Sequence, residues 1–524
     1  MTDVYRALLL TCLLIPVIVD CYKILVFNPK VGQSHTNFVG KFADILVDAG
    51  HDVAVYQPVL NENITFSGSK SPKVRYYVLP KNESLYEGFS MDGYQEALWS
   101  NKLYKMMKKT EKHLVRQCEE ILNDEANIAA MKAEKFDLFI LEHSDVCGYA
   151  LLRHLNITKY VSSTIGSLYS SFATDLGILP HYSYSVGFMT NYSDKMNFVQ
   201  RVKRFIFHFV ETNMIKKLYS THDDVIQKYY PDYSSGSALA KAAFHFVNAD
   251  EHLDYTQPIT PKIVYIANLG NGEPKPLPEK YEKIVESAKR GVVLFSFGSV
   301  VQAKSMPKHI KKAFLEAFAE FPDVTFLWKY ETPEDGTAKD VPNVITSKWL
   351  PQRDLLHNLK LLAFISHAGQ NSFNEAIGAG VPMLCLPVFG DQPRNAHHIA
   401  SKGLGLQLNH KGLTKAKVVK ALKEILDNDV YRKNAQLISK LMKTKSKIQS
   451  PETRFIKNVE FAAQFGDTGT LSAAGAEQNA FVFYSLDVIG FLLVVLTIVL
   501  LLIKTVVTTI LKTVRKLLGK QKFE

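Results

Sequence analysis

Cysteine is scarce, with 5 among 524 residues. Cys12 and Cys21 fall in an apolar N-terminal leader, which leaves Cys118, Cys147 and Cys385. An odd number leaves at least one free thiol, and a disulfide scaffold is excluded. Clustered basic residues are missing too. The net charge is +11, but Lys504, Lys512, Arg515, Lys516, Lys520 and Lys522 against Glu524 put five of those charges in the segment 504–524. No basic stripe interleaved with aromatics runs through the remainder, so nucleic acid is not an expected partner. Metal motifs are likewise absent. Asp427-Asn-Asp429 imitates a D-x-D site, yet it closes a helical run instead of following a strand. "KGLGLQL", Lys402–Leu408, holds a G-x-G with no phosphate loop behind it and reads as a turn into a strand. No metal or other cofactor is expected. Disorder is excluded by 47% hydrophobic and 22% charged residues.

Long apolar runs occur only at the two ends. Ala7–Val19 is uncharged behind Arg6, and Val19 and Cys21 are small enough for a signal-peptidase site, so residues 1–21 read as a secretory leader. A first buried strand is the alternative. Near the other end, Val488–Ile503 is uncharged, and Phe481–Leu486 extends it past Asp487 toward the ~20 residues that a bilayer requires. The expected span is 485–503, with a basic tail, 504–524, on the cytosolic side and everything before it luminal. The final "KQKFE" resembles a dilysine retrieval signal, which places the chain in the endoplasmic reticulum membrane as a single-pass protein. The sequons at Asn63, Asn82, Asn156 and Asn191 all precede residue 200, consistent with a glycosylated luminal half.

Between the ends, apolar strand-like runs alternate with helical patterns. "KILVFNP" (Lys23–Pro29), a helix near Asn37–Ala49, "HDVAVYQP" (His51–Pro58), "FDLFILE" (Phe136–Glu142), a helix near Tyr149–Leu155 and "ITKYVSS" (Ile157–Ser163) form one series. The Pro- and Gly-rich "NLGNGEPKPLPEK", Asn268–Lys280, interrupts it as a linker. "GVVLFSFGS" (Gly291–Ser299), a helix near Pro307–Phe321, "VTFLWKY" (Val324–Tyr330), "LLAFISH" (Leu361–His367) and "PMLCLPV" (Pro382–Val388) form a second. Continuously apolar strands separated by helices predict parallel sheets covered on both faces, hence two doubly wound α/β domains. Residues 195–235, amphipathic and aromatic-rich, are assigned to helices of the first domain. Ligands of such sheets sit beyond the carboxyl ends of strands.

The stretch Phe364–Gln392, "FISHAGQNSFNEAIGAGVPMLCLPVFGDQ", resembles a phosphate cradle but holds no lysine or arginine. A Walker loop would need its lysine. Here a buried strand leads into a helix expected to start near Asn371 or Ser372, both good N-caps. His367, Gly369, Asn371 and Ser372 then lie in the strand-to-helix loop, where free N–H groups and the helix dipole make an anion site. Glu375, about one turn on, suits sugar hydroxyls better than an anion. A nucleoside diphosphate presents both.

The spacing F-I-S-H-A-G-x-x-S-x-x-E-x6-P-M-L-x-x-P-V-x-x-D-Q, with "WLPQRDLL" (Trp349–Leu356) upstream, resembles the signature of the UDP-glycosyltransferases, the family of the endoplasmic-reticulum UDP-glucuronosyltransferases. The resemblance implies a GT-B fold, two facing Rossmann-like domains plus one C-terminal transmembrane helix. An acceptor-binding domain would cover 22–267, a linker 268–285, a UDP-sugar-binding domain 286–450, and helices returning toward the membrane 451–484. It implies that Trp349 stacks on uracil, Gln352 bonds the uridine and Glu375 takes the ribose hydroxyls. Ser299, His367, Gly369, Asn371 and Ser372 would surround the diphosphate, and Asp391 and Gln392 would bind the transferred sugar. His35, in "NPKVGQSH" at the carboxyl end of the first strand, would be the general base for an acceptor hydroxyl, in an inverting transfer. Its acidic partner is Glu142 by alignment or Asp145, three residues on. Where glucuronate users carry an arginine before their D-Y-x-x-P motif, this chain has Asn248, which favours UDP-glucose over UDP-glucuronate as donor. The implied partners are a UDP-sugar, a small lipophilic acceptor and the membrane, with assembly into a homo- or hetero-oligomer left open. A catalytically degenerate luminal binding protein is the rival reading.

Overall fold

The computed structural model describes residues 21–85, 91–100, 103–188 and 190–520. The expected leader lies outside these residues except for Cys21, and so do the last four residues of the dilysine-like terminus. The first series of runs becomes seven parallel strands, β1 (Lys23–Phe27), β2 (Asp52–Pro58), β3 (Arg75–Leu79), β4 (Leu138–Glu142), β5 (Tyr160–Thr164), β6 (His245–Val247) and β7 (Ile263–Tyr265), in the order β3-β2-β1-β4-β5-β6-β7. The second becomes six, β8 (Gly291–Ser296), β9 (Val324–Lys329), β10 (Val344–Ser347), β11 (Leu361–Ser366), β12 (Met383–Cys385) and β13 (Gly405–Gln407), in the order β10-β9-β8-β11-β12-β13.

Continuous burial explains the apolar runs. Ile24 and Val26 of β1 enter the core on one face of the first sheet, and Leu25 and Phe27 enter the core on the other. In β8, Val293 and Phe295 face one core while Val292 and Leu294 face its opposite. Polar side chains therefore collect at the strand ends. In both sheets the strand order reverses at the middle, between β1 and β4 and between β8 and β11, and such reversals are where open α/β sheets leave a crevice.

Two helix starts differ from expectation. The helix after β1 runs Gln33–Asp48, so His35 lies in its first turn and not in a loop. Extended Gly32 opens this helix, and the Thr36 hydroxyl donates back to the Gly32 carbonyl. The helix after β11 runs Gln370–Ala379 with Gly369 at its cap, not Asn371 or Ser372. No side chain caps it, so its first N–H groups stay free for a ligand.

Residues 195–235 supply one long helix, Phe198–Ile226. Cys118 and Cys147 form a disulfide that ties helix Leu103–Leu122 to helix Cys147–His154, and Cys385 is a buried free thiol. After the second domain the chain crosses back. Helix Pro451–Phe465 packs on the first sheet, with the Phe455 ring 4.7 Å from Phe42 and 4.9 Å from Phe246. The last helix, Leu486–Lys520, is 35 residues long and continues past Lys504 into the basic tail. At ~1.5 Å per residue it is roughly 50 Å long, beyond the ~30 Å of a hydrocarbon layer. Its apolar part is long enough to cross a membrane.

Replacing Phe455 by alanine should cost about 3–5 kcal/mol, because the fully buried ring packs the returning helix against Phe42 and Phe246 of the first domain. Urea unfolding followed by near-ultraviolet dichroism should register the first domain melting earlier than in the wild type.

Candidate active site

The reversals of the two sheets face each other. From the first come His35, one turn into the helix after β1, and Glu142, the last residue of β4. From the second come Ser299, just beyond β8, and His367, just beyond β11. Two cavities meet there. One of about 400 Å³ is bounded by apolar Phe27, Val31, Val39, Ile64, Leu114 and Phe389, with polar Asn61, Gln95 and His222 among them. The other, about 700 Å³, lies between the domains. His35, Glu142 and Ser299 border both.

His35 Nδ1 lies 2.7 Å from Glu142 Oε2. The other Glu142 oxygen accepts the Ile165 N–H at 3.3 Å, so the carboxylate is held from two sides. Enclosure by the cleft pulls the His35 pKa down, but the charge and hydrogen bond of Glu142 outweigh it and leave it above 6.5. The His35 side chain keeps 40% of its surface open, so its remaining nitrogen can be reached. Asp145 has a different partner: its Oδ1 accepts the Cys147 N–H at 3.2 Å at the start of the next helix. Burial raises its pKa to about 7. It borders the smaller cavity, and the bond to His35 is made by Glu142.

On the opposite wall the larger cavity brings together Ser299, Gln352, His367, Gly369, Asn371, Ser372, Glu375, Asp391 and Gln392. His367 is held between two glycines: a Cβ on Gly369 would stand 2.5 Å from its Nε2, and one on Gly298 2.9 Å from its Cε1. Burial, helped by Lys329, drives the His367 pKa to about 3, so the ring is neutral and offers one N–H. Gln352 donates to Glu375 at 2.8 Å. Asp391 accepts from Asn395 at 2.8 Å, and burial raises its pKa. The Gln392 carbonyl accepts the Val388 and Phe389 N–H groups, so only its amide N–H groups are free of this brace. Asn371 Oδ1 accepts from Asn248 of the first domain at 2.6 Å. Trp349 is not among the residues bordering the cavity; its indole is 62% exposed, which rules out a core position. The sequon asparagines Asn63, Asn82, Asn156 and Asn191 are all exposed, and Asn63 stands at the edge of the smaller cavity.

A buried ion pair closes the two walls on each other. Arg394 of the second domain reaches Asp254 of the first at 2.7 Å and Ser167 at 3.2 Å. Missed in the sequence was a polar stripe on the helix after β1, Ser34, Asn37, Lys41 and Asp44, which borders the larger cavity together with Lys70. Its three- and four-residue spacing is a helical signature, and it becomes visible once the helix starts at Gln33.

The chain matches the family model "UDP-glucoronosyl and UDP-glucosyl transferase" over residues 23–523. It is 31% identical over 496 residues to the putative UDP-glucuronosyltransferase ugt-48 of Caenorhabditis elegans, covering 92% of this chain and 93% of that one. It is 30% identical over 508 residues to UDP-glucuronosyltransferase 3A1 of Bos taurus, with 94% of each covered. Among solved structures, a UDP-glucosyltransferase from Polygonum tinctorium superposes with a TM-score of 0.58 at 15% identity, over 86% of this chain and 100% of that one. That likeness speaks for the fold, which is GT-B. Two opposed parallel sheets and a family match over nearly the whole length make this chain a member of the UDP-glucoronosyl and UDP-glucosyl transferase family.

Proposed function

We propose that the chain transfers a hexosyl group from a UDP-sugar to a hydroxyl of a small lipophilic acceptor, with inversion and with His35 as general base. The carrying observation is the 2.7 Å His35–Glu142 pair at the junction of an apolar cavity with a polar one. With its Nδ1–H donating a hydrogen bond to Glu142, the ring turns the Nε2 lone pair to the acceptor. The hydroxyl proton passes to Nε2, the oxygen attacks the anomeric carbon, and the bond to UDP breaks with its electrons leaving on the phosphate. Glu142 stabilises the imidazolium so formed, and Asp145 contributes by shaping the acceptor cavity.

Charge on the departing diphosphate meets the uncapped helix start at Gln370–Ser372 and the N–H of His367. Gln352 and Glu375 suit the uridine and its ribose, with exposed Trp349, three residues before Gln352, for the base, and Asp391 and Gln392 suit hydroxyls of the sugar. A neutral donor, UDP-glucose, is favoured. Asn248 is an amide buried against Asn371 and Asn374, Arg394 is already paired with Asp254, and Asp391 would repel a glucuronate carboxylate. The apolar helix from Leu486 fits a single membrane span, and we place the catalytic domains on the luminal side of the endoplasmic reticulum.

Three outcomes follow. His35→Ala should lose roughly 10²–10⁴-fold in kcat while UDP affinity by calorimetry stays within about twofold; no UDP binding by the wild type at millimolar concentration would favour the degenerate binding protein instead. The base works only when neutral, and Glu142 raises its pKa, so activity should fall as pH drops through that value. In Glu142→Gln the acidic limb of the kcat/KM profile should move to lower pH as the plateau drops. Parallel assays against a phenol and steroid panel should give a kcat/KM at least about tenfold higher with UDP-glucose than with UDP-glucuronate, one carboxylate pairing being worth about 1.4 kcal/mol or more.

A further inference from the structure

The helix Phe198–Ile226 is inverted over its first four turns. Arg204, His208, Glu211 and Thr212 are buried, while Phe198, Val202, Phe205, Ile206, Phe209 and Val210 are exposed, Phe198 to 71% and Ile206 to 59%. Inside, Arg204 bonds the Ser185 carbonyl at 2.7 Å and pairs with Glu211 at 3.4 Å, and His208 Nε2 lies 3.3 Å from the Tyr484 hydroxyl. The inward face is thus committed to the protein interior, and the outward face is a stripe recurring every three or four residues. An apolar patch of this kind on a folded surface marks a place where water is excluded by something else.

Its position says by what. Tyr484 stands two residues before the apolar helix that begins at Leu486, and its ring packs 5.6 Å from Phe209. Phe481 and Val482, exposed to 56% and 41%, continue the same surface into that helix. Lys203, Lys216 and Lys217 are exposed on the same helix, where they can meet phosphates. Farther along, His222 of this helix borders the smaller cavity. We infer that the face Phe198–Val210 inserts into the lipid leaflet through which the chain enters the membrane, as a second, interfacial anchor beside the span. The inference rests on the reading of Leu486–Leu518 as a membrane span and is independent of the sugar chemistry. Held at two points, the catalytic body would have a fixed orientation over the bilayer instead of swinging on a single helix.

The test uses the full chain with Phe205→Trp, reconstituted into phosphatidylcholine vesicles with or without bromine on the acyl chains near the headgroups. Wild type, with its 3 tryptophans, and Leu359→Trp, at a fully exposed position of the second domain, serve as references. UDP affinity within twofold of wild type verifies folding, and Ile206→Trp takes the place of Phe205→Trp if that fails. The expected result is that bromolipid removes at least half of the emission added by the new indole and leaves both references unchanged. Equal emission in the two vesicles would overturn the inference. So would a blue-shifted but unquenched indole, which would mean that a protein surface, such as a second copy of the chain, covers the patch. Release of the chain from vesicles by alkaline carbonate would remove the span reading and this inference together. Retention with an unquenched indole would remove this inference alone.

Discussion

Arg394 and Asp254 hold the two halves of the molecule in register. Their 2.7 Å pair is almost fully buried between the domains, where removing one partner would strand a charge, at about 3–5 kcal/mol. Every feature of the cleft presupposes that closure. His35 and Glu142 belong to one sheet, His367 and the uncapped helix to the other, and a transfer reaction needs both walls at bonding distance from one sugar. The ion pair works alongside the amide ladder of Asn248 with Asn371 and Asn374 and the returning helix Pro451–Phe465. Three different kinds of attachment, ionic, amide and apolar, therefore converge on one relative placement.

The electrostatics of the two walls are opposite in kind. His35 is pulled toward protonation by a carboxylate 2.7 Å away, whereas His367, enclosed and near Lys329, is held neutral. One imidazole is thus suited to accept a proton and the other only to donate a hydrogen bond. A phosphate loop without lysine makes sense in that setting. On the proposed function, backbone N–H groups and a neutral ring would stabilise an anion as it develops without binding the ground state so tightly that product departure suffers.

Much of this was legible in the residues because the strongest sequence signal, continuous apolar runs between helices, is the one that parallel sheets impose. The two parallel sheets stand where that pattern puts them, and the stretch from Phe364 to Gln392 begins on β11 and runs on into a helix as expected. What escaped was decided by packing and by backbone that carries no side-chain mark. Gly32 and Gly369 open helices without a side-chain cap, so His35 was expected one element too early and the stripe Ser34–Asp44 went unread. Glu142 and Asp145 are three residues apart at a strand end, and only the path of the backbone aims one at His35 and the other at the Cys147 N–H. The inverted helix Phe198–Ile226 mixes polar and apolar residues on both sides, so no one-sided pattern announced which face was inward. Phe455 looked like any other aromatic on a helix outside the second domain, although it completes the core of the first.

The Cys118–Cys147 bridge connects two parts of the cleft that do different work. Cys118 lies one turn beyond Leu114, on the helix that walls the apolar cavity. Cys147 opens the helix whose first N–H fixes Asp145, directly after the β4 end that carries Glu142. Covalent linkage therefore makes the wall of the apolar cavity and the carboxylates near His35 a single frame. Folded in a reducing cytosol, the same polypeptide would lose the tie between the apolar-cavity wall and the segment that carries Glu142 and Asp145. The compartment of synthesis would then set how well the apolar cavity is aligned with His35, while the wall contributed by the second domain, which holds neither cysteine, would be indifferent to it.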